Sequence, residues 1–171
     1  MMKKKLLLLL VLLTTMTASV CAQSIGVFTS DNSGPYTNIR EAPKGKVVDR
    51  IPTADAAMIS VANPTNGWWQ IISEEYQTGD YETKFKGSTT GSYWIHYSVL
   101  ACHTRNYGGQ TLYLRKSPSA KAPAVFKFND YTLLRPMEIK GDWVKVKTTD
   151  GKHTGWIEFD WLCGNALTNC C

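Results

Sequence analysis

Histidine is scarce in this 171-residue chain: His96, His103 and His153 are the only three. A catalytic thiol needs a nearby imidazole to hold it as thiolate and a third group to orient that imidazole, so little of the chain can serve such a centre. Cys102 and His103 are adjacent, and on a strand their side chains would point to opposite faces. Helical periodicity is weak throughout, and no long segment carries caps at both ends. Beyond the first residues there is no second long apolar run, so nothing else is suited to span a membrane.

The chain opens on Met1-Met2-Lys3-Lys4-Lys5, then LLLLLVLL, then the small polar run TTMTASVCA. A basic start, a short apolar stretch and small residues before a cut describe a secretory signal peptide, with Val20 and Ala22 at the −3 and −1 positions and cleavage after Ala22. The rival is a lipoprotein acylated at Cys21, which Ala18 and Val20 suit poorly. Without residues 1–22 the chain keeps 16 Lys and Arg against 14 Asp and Glu, a net charge of +2. Binding to phosphate backbones needs clustered basic residues, so no nucleic-acid partner is expected. Cys102, Cys163, Cys170 and Cys171 remain, and an even number in an exported protein makes disulfides plausible.

An internal duplication is the strongest signal. A shift of 75 residues superposes Thr29 on Thr104, Gly34 on Gly109, Arg40 on Arg115, Pro43 on Pro118, Lys46 on Lys121 and Trp68 on Trp143. Beyond Trp68, YWIHYSVL (93–100) matches GWIEFDWL (155–162) at a shift of 62, so the first repeat carries a 13-residue insertion between its two tryptophan strands. Each repeat reads as short strands and turns. VKVKTTDGKHTGWIEF alternates on both sides of Asp150-Gly151, a dipeptide suited to the positive φ of a tight hairpin. Pro43 and Pro118 stand where a strand gives way to a loop, since proline offers no amide to a ladder. The reading is all-β, two small barrels.

The motifs NIREAP, GWWQI and SYWIHYSVL, and again LYLRKSP, GDWVKV and TGWIEFDWL, resemble the bacterial SH3-like (SH3b) domain, with Tyr93 in place of the usual glycine before Trp94. The resemblance implies two tandem SH3-like barrels: residues 23–101 with an insertion near 73–91, residues 102–163, and a tail at 164–171. It also implies that first and last strands lie close, which makes a Cys102 to Cys163 disulfide the expected bridge; Cys170 and Cys171 could instead capture Cys163, or crosslink chains. The Cys170-Cys171 pair lacks zinc-knuckle spacing, and Glu74, Glu75, Asp80 and Glu82 lack the ordered ligand loop of calcium sites, so no metal or cofactor is expected.

Aromatic residues are the better ligand candidates. Trp68, Trp94, Trp143 and Trp156 fall at repeated positions and read as core or groove wall. Trp69 and Trp161 are not repeated, their counterparts being Val144 and Val99. Trp69 should face opposite to Trp68, placing one of the two near solvent. An exposed Trp69 beside Tyr93 or His96 would suit sugars or peptides, and packing between the barrels is the other use of the same ring. Arg40 and Arg115 should point outward, to pair with a wall-peptide carboxylate or to pin the adjacent loop by a salt bridge. Their presence in both repeats favours the pin.

The expected role is a non-catalytic, exported binding module, periplasmic or extracellular, recognising peptidoglycan or cell-wall peptides, a ligand class that the resemblance implies. A scaffold holding an extended peptide of an envelope protein is the alternative. A cysteine-type wall hydrolase acting through Cys102 is the third reading, for which no separate catalytic span remains.

Overall fold

The computed structural model describes residues 23–86 and 93–170. The expected leader with Cys21, the end of the insertion and Cys171 lie outside the described residues.

The fold is all-β, as the sequence predicts. Strands β1 (Ser24–Thr29), β2 (Tyr36–Arg40), β3 (Val47–Pro52), β4 (Met58–Thr65) and β5 (Trp68–Ile71) come first. The insertion supplies a hairpin, β6 (Glu75–Thr78) and β7 (Tyr81–Lys84), before β8 (Trp94–His96), a 3-10 turn at Tyr97–Val99 and β9 (Leu100–Thr104). The order then repeats: β10 (Leu112–Arg115), β11 (Ala124–Phe128), β12 (Leu133–Lys140), β13 (Trp143–Thr148), β14 (Thr154–Glu158), a 3-10 turn at Phe159–Trp161 and β15 (Leu162–Cys163).

Alternation makes these strands. In β13 the residues Val144, Val146 and Thr148 point inward while Trp143, Lys145 and Lys147 do not, and β2 buries Thr37 and Ile39 in the same rhythm. Turn chemistry sets the register. Asn66 and Gly67 both take positive φ, 50° and 81°, so that β4 and β5 join directly with Thr65 opposite Trp68. Gly151 has φ 75°, as its place after Asp150 predicts.

The pairings of the first half recur in the second. Arg40 lies opposite Trp94 and Arg115 opposite Trp156. The amide of Tyr97 donates to Gly67, and that of Phe159 to Asp142. Thr29 and Thr104 explain their own repetition: the hydroxyl of Thr29 accepts the Ala57 amide, and that of Thr104 accepts the Thr132 amide.

Strand β9 belongs to both halves. Leu100 and Ala101 pair with β1, whereas Cys102 and His103 pair with β12, so the expected boundary after residue 101 falls inside a strand. One strand path therefore runs β11-β10-β14-β13-β12-β9-β1-β4-β5-β8-β2-β3. Its core combines Val27, Ile39, Ile59, Ile71, Ile95 and Leu100 with their counterparts Cys102, Leu114, Leu134, Val146, Ile157 and Leu162. Burying each large aliphatic side chain contributes about 1.5–3 kcal/mol.

The junction is also fastened by polar contacts. The Trp69 indole Nε1 donates to the Pro136 carbonyl at 2.9 Å. Arg135 donates through Nη1 to the carbonyls of Ser30 at 3.2 Å and Leu100 at 3.1 Å. Past β15 the chain crosses β1 so closely that a Cβ on Gly164 would collide with the Gly26 carbonyl.

The expected Cys102 to Cys163 bridge is corrected. Cys163 is bonded to Cys170, and Cys102 is free and buried. The strands are neighbours as expected, but Cys163 stands opposite His103 rather than Cys102. One step of register turns the Cys102 side chain to the other face, where its Sγ lies 3.5 Å from the Leu134 carbonyl oxygen.

Candidate ligand groove

In the second half a cleft of about 100 Å³ opens between β10, the start of β13 and the 3-10 turn, lined by Thr111, Leu112, Tyr113, Arg115, Trp143, Ile157, Glu158 and Trp161. Three local causes converge on it. Alternation in β10 sends Leu112 and Leu114 inward and leaves Tyr113 and Arg115 on the outer face. The turn at Gly141, with φ 54°, starts β13 so that Trp143 faces Glu158 across the ladder. The 3-10 turn places Trp161 over the end of the sheet, packed against the core rather than within it.

Arg115 is held in place at two points. Its Nη1 donates to the Ala122 carbonyl at 2.9 Å, and its guanidinium carbon lies 5.6 Å from the centre of the Tyr113 ring. Glu158 is exposed at the rim. The cleft thus brings together a fixed cation, a carboxylate and aromatic walls.

The corresponding surface of the first half brings Arg40, Trp68 and His96 together. Arg40 donates through Nη1 to the Gly45 carbonyl at 2.7 Å and lies 5.9 Å from the Trp68 ring centre. Trp68 meets His96 edge-on at 5.0 Å, and His96 meets Tyr97 at 4.6 Å. Burial holds the His96 imidazole below its ordinary pKa, so it presents a neutral ring where the second half presents the Glu158 carboxylate. Its Nδ1 accepts the Ser98 amide at 3.3 Å. Both arginines pin the loop after their strand, but to backbone carbonyls, not by the expected salt bridge: the ion pairs of the described residues are Lys145 with Glu138 and Lys152 with Asp150.

Two of the expected exposed aromatics are corrected. Trp69 is wholly enclosed, 0% exposed, and Trp68 is the member of the pair that reaches the surface. The inward face of β5 continues from Trp69 to Ile71, and β12 closes over it. Tyr93 is buried too. It packs on Phe85, which packs on Tyr76, and its hydroxyl donates to the Lys86 carbonyl at 2.6 Å. Tyr93 therefore anchors the insertion hairpin. Of the repeated tryptophans, Trp156 is buried and Trp94 is half-buried, while Trp68 and Trp143 form walls of the two surfaces. Tyr113 and Glu158 were missed by sequence reasoning. The 75- and 62-residue shifts place them at Asn38 and His96; the 62-residue shift from the candidate His96 lands on Glu158, and alternation puts Tyr113, two residues before Arg115, on the same face. Among the described residues no group of three His, Cys, Asp or Glu side chains is placed to hold a metal, and no helix is long and apolar enough to cross a membrane.

Residues 110–162 match the bacterial SH3 domain. The cleft lies wholly within this matched segment, and all its lining residues fall between Thr111 and Trp161. No curated protein matches the chain. Two solved structures are similar to it at low identity: NlpC2 from Trichomonas vaginalis, at 10% identity and TM-score 0.30, with 82% of this chain and 48% of that one covered, and NlpC1 from the same organism, at 10% identity and TM-score 0.30, with 85% and 47% covered. The chain spans about half the length of these two proteins.

Proposed function

We propose that this protein is an exported, non-catalytic binding module for peptidoglycan or its stem peptides, built from two copies of the SH3-like barrel. The observation that carries the reading is the cleft of the SH3 domain, where Arg115 and Glu158 stand among Tyr113, Trp143 and Trp161. A stem peptide offers carboxylates and amines along an extended backbone, which suits a fixed guanidinium and a rim carboxylate between aromatic walls. The Cys163–Cys170 disulfide fits an oxidising compartment. The state of the cysteines supports a binding rather than a hydrolytic role: burial pushes the Cys102 thiol up to about 12, keeping it protonated at neutral pH.

Purified sacculi test the reading. The protein should co-sediment with them, and Trp143→Ala should lower the bound fraction several-fold while leaving the far-UV spectrum intact. Failure of the unaltered protein to co-sediment at low salt would reject it. Retention by one stoichiometric envelope protein, insensitive to wall digestion, would favour the peptide-scaffold alternative instead.

A further inference from the structure

A second aromatic surface lies outside the groove. His103 on β9 stacks on Tyr131 at 4.5 Å with 18° between the rings, and also meets Phe28, at 4.9 Å with 34° between the rings. Tyr107 continues the row, 5.9 Å from Tyr131. The outer two rings are open to solvent, Tyr107 at 43% and Tyr131 at 50% exposure, whereas Phe28 at the inner end is buried.

These rings are held in advance of any ligand. Asn106, 3% exposed, donates through Nδ2 to the carbonyls of Gln110, Asn129 and Asp130, and its Oδ1 accepts the Thr104 hydroxyl. One buried amide thereby ties together the two loops that carry Tyr107 and Tyr131. The disulfide loop adds a third hold, because the Cys170 amide donates to the Tyr107 hydroxyl at 3.2 Å. Fixing exposed rings in this way removes ordering cost from binding.

The fold does not require the surface. The 75-residue shift places Asn32 at Tyr107, Ala56 at Tyr131 and Phe28 at His103, so the first repeat builds the same loops without the row. Its surroundings also discriminate between ligands. Gly108, Gly109 and Gln110 follow Tyr107, and Asn129 and Asp130 precede Tyr131, all of them exposed and none aliphatic. A lipid surface or an apolar protein interface wants a wider apolar patch than two polar-tipped rings among amides. A pyranose ring has the complementary character, with an apolar C–H face to lie on a ring and a hydroxyl rim to meet amides and phenols.

We propose that Tyr107 and Tyr131, backed by His103, form a carbohydrate-stacking platform for the sugar rings of a glycan, separate from the peptide-accepting groove. The choice of an amino-sugar glycan rests on the wall-binding reading above; the platform itself rests on the row of rings and the Asn106 tie.

Titration of the full chain with tetra-N-acetylchitotetraose, followed by calorimetry and by the ring NMR signals of Tyr107 and Tyr131, tests it. Saturable binding that shifts both tyrosines is expected, with Tyr131→Ala weakening affinity roughly fivefold to tenfold. Tyr131→Leu, which keeps bulk but not a flat face, should weaken it similarly, and Tyr131→Phe should preserve it. Trp143→Ala should leave oligosaccharide affinity unchanged while reducing sacculus binding, which keeps the two proposals separable. No saturable binding, binding indifferent to Tyr131→Ala and Tyr131→Leu, or a proline-rich peptide shifting these rings in place of the sugar would overturn the platform.

Discussion

Asp31 shows how a single residue departs from its repeat counterpart. It occupies the place of Asn106, but uses a carboxylate that accepts from the amide and hydroxyl of Ser33 and from the hydroxyl of Thr37. Burial raises its pKa, and those hydrogen bonds with the nearby Arg135 charge outweigh that effect, so the carboxyl is held below its ordinary value. A carboxyl depressed in the folded state contributes fully above its unfolded value and loses the contribution as pH falls through the folded one. The stability gap between the unaltered protein and Asp31→Asn, read by urea unfolding, should therefore be open at about pH 6 and narrow as pH falls below the ordinary Asp value of about 3.9. Residue-level legibility was uneven. Alternation correctly opposed Trp68 to Trp69, but alternation alone does not say which side is wet. The counterpart Val144, an inward aliphatic, already carried the answer for Trp69.

Elements were more legible, because a strand announces itself by alternation and a turn by its glycine, and duplication states each twice. The early arginine-to-proline phrases mark β2 and β10 with the loops that Arg40 and Arg115 pin. What escaped is pairing register across distant strands, since one residue of slip moved Cys163 from Cys102 to His103. The repeated threonines offer an element-scale test. Thr104→Val would remove the acceptor for the Thr132 amide and the donor to Asn106 while keeping the shape of the side chain. One buried and one half-buried polar group left unpaired should lower unfolding stability by about 1–3 kcal/mol, measured by chemical denaturation. Loss below about 0.5 kcal/mol would mean that water replaces both contacts.

At the scale of the whole molecule the all-β class was readable, but not how the two halves of the chain join. Nothing in the local pattern of LACHT reveals that Leu100 and Ala101 serve one half while Cys102 and His103 serve the other. With Trp69 bonded to Pro136 across the junction, denaturation followed by tryptophan emission and by far-UV dichroism should give one coincident transition. Trp69→Ala should cost about 3–5 kcal/mol, and two resolved transitions in the unaltered protein would contradict a common core. The shared strand has a mechanical meaning as well. Modules strung on a flexible tether can adapt to any spacing of their targets, but here β9 pairs with both halves in place of a tether, so on the binding role proposed above the chain acts as a caliper set to one opening. A polymer whose repeat fits that opening gains the second contact at little entropic cost, and one whose repeat does not fit is held by a single jaw.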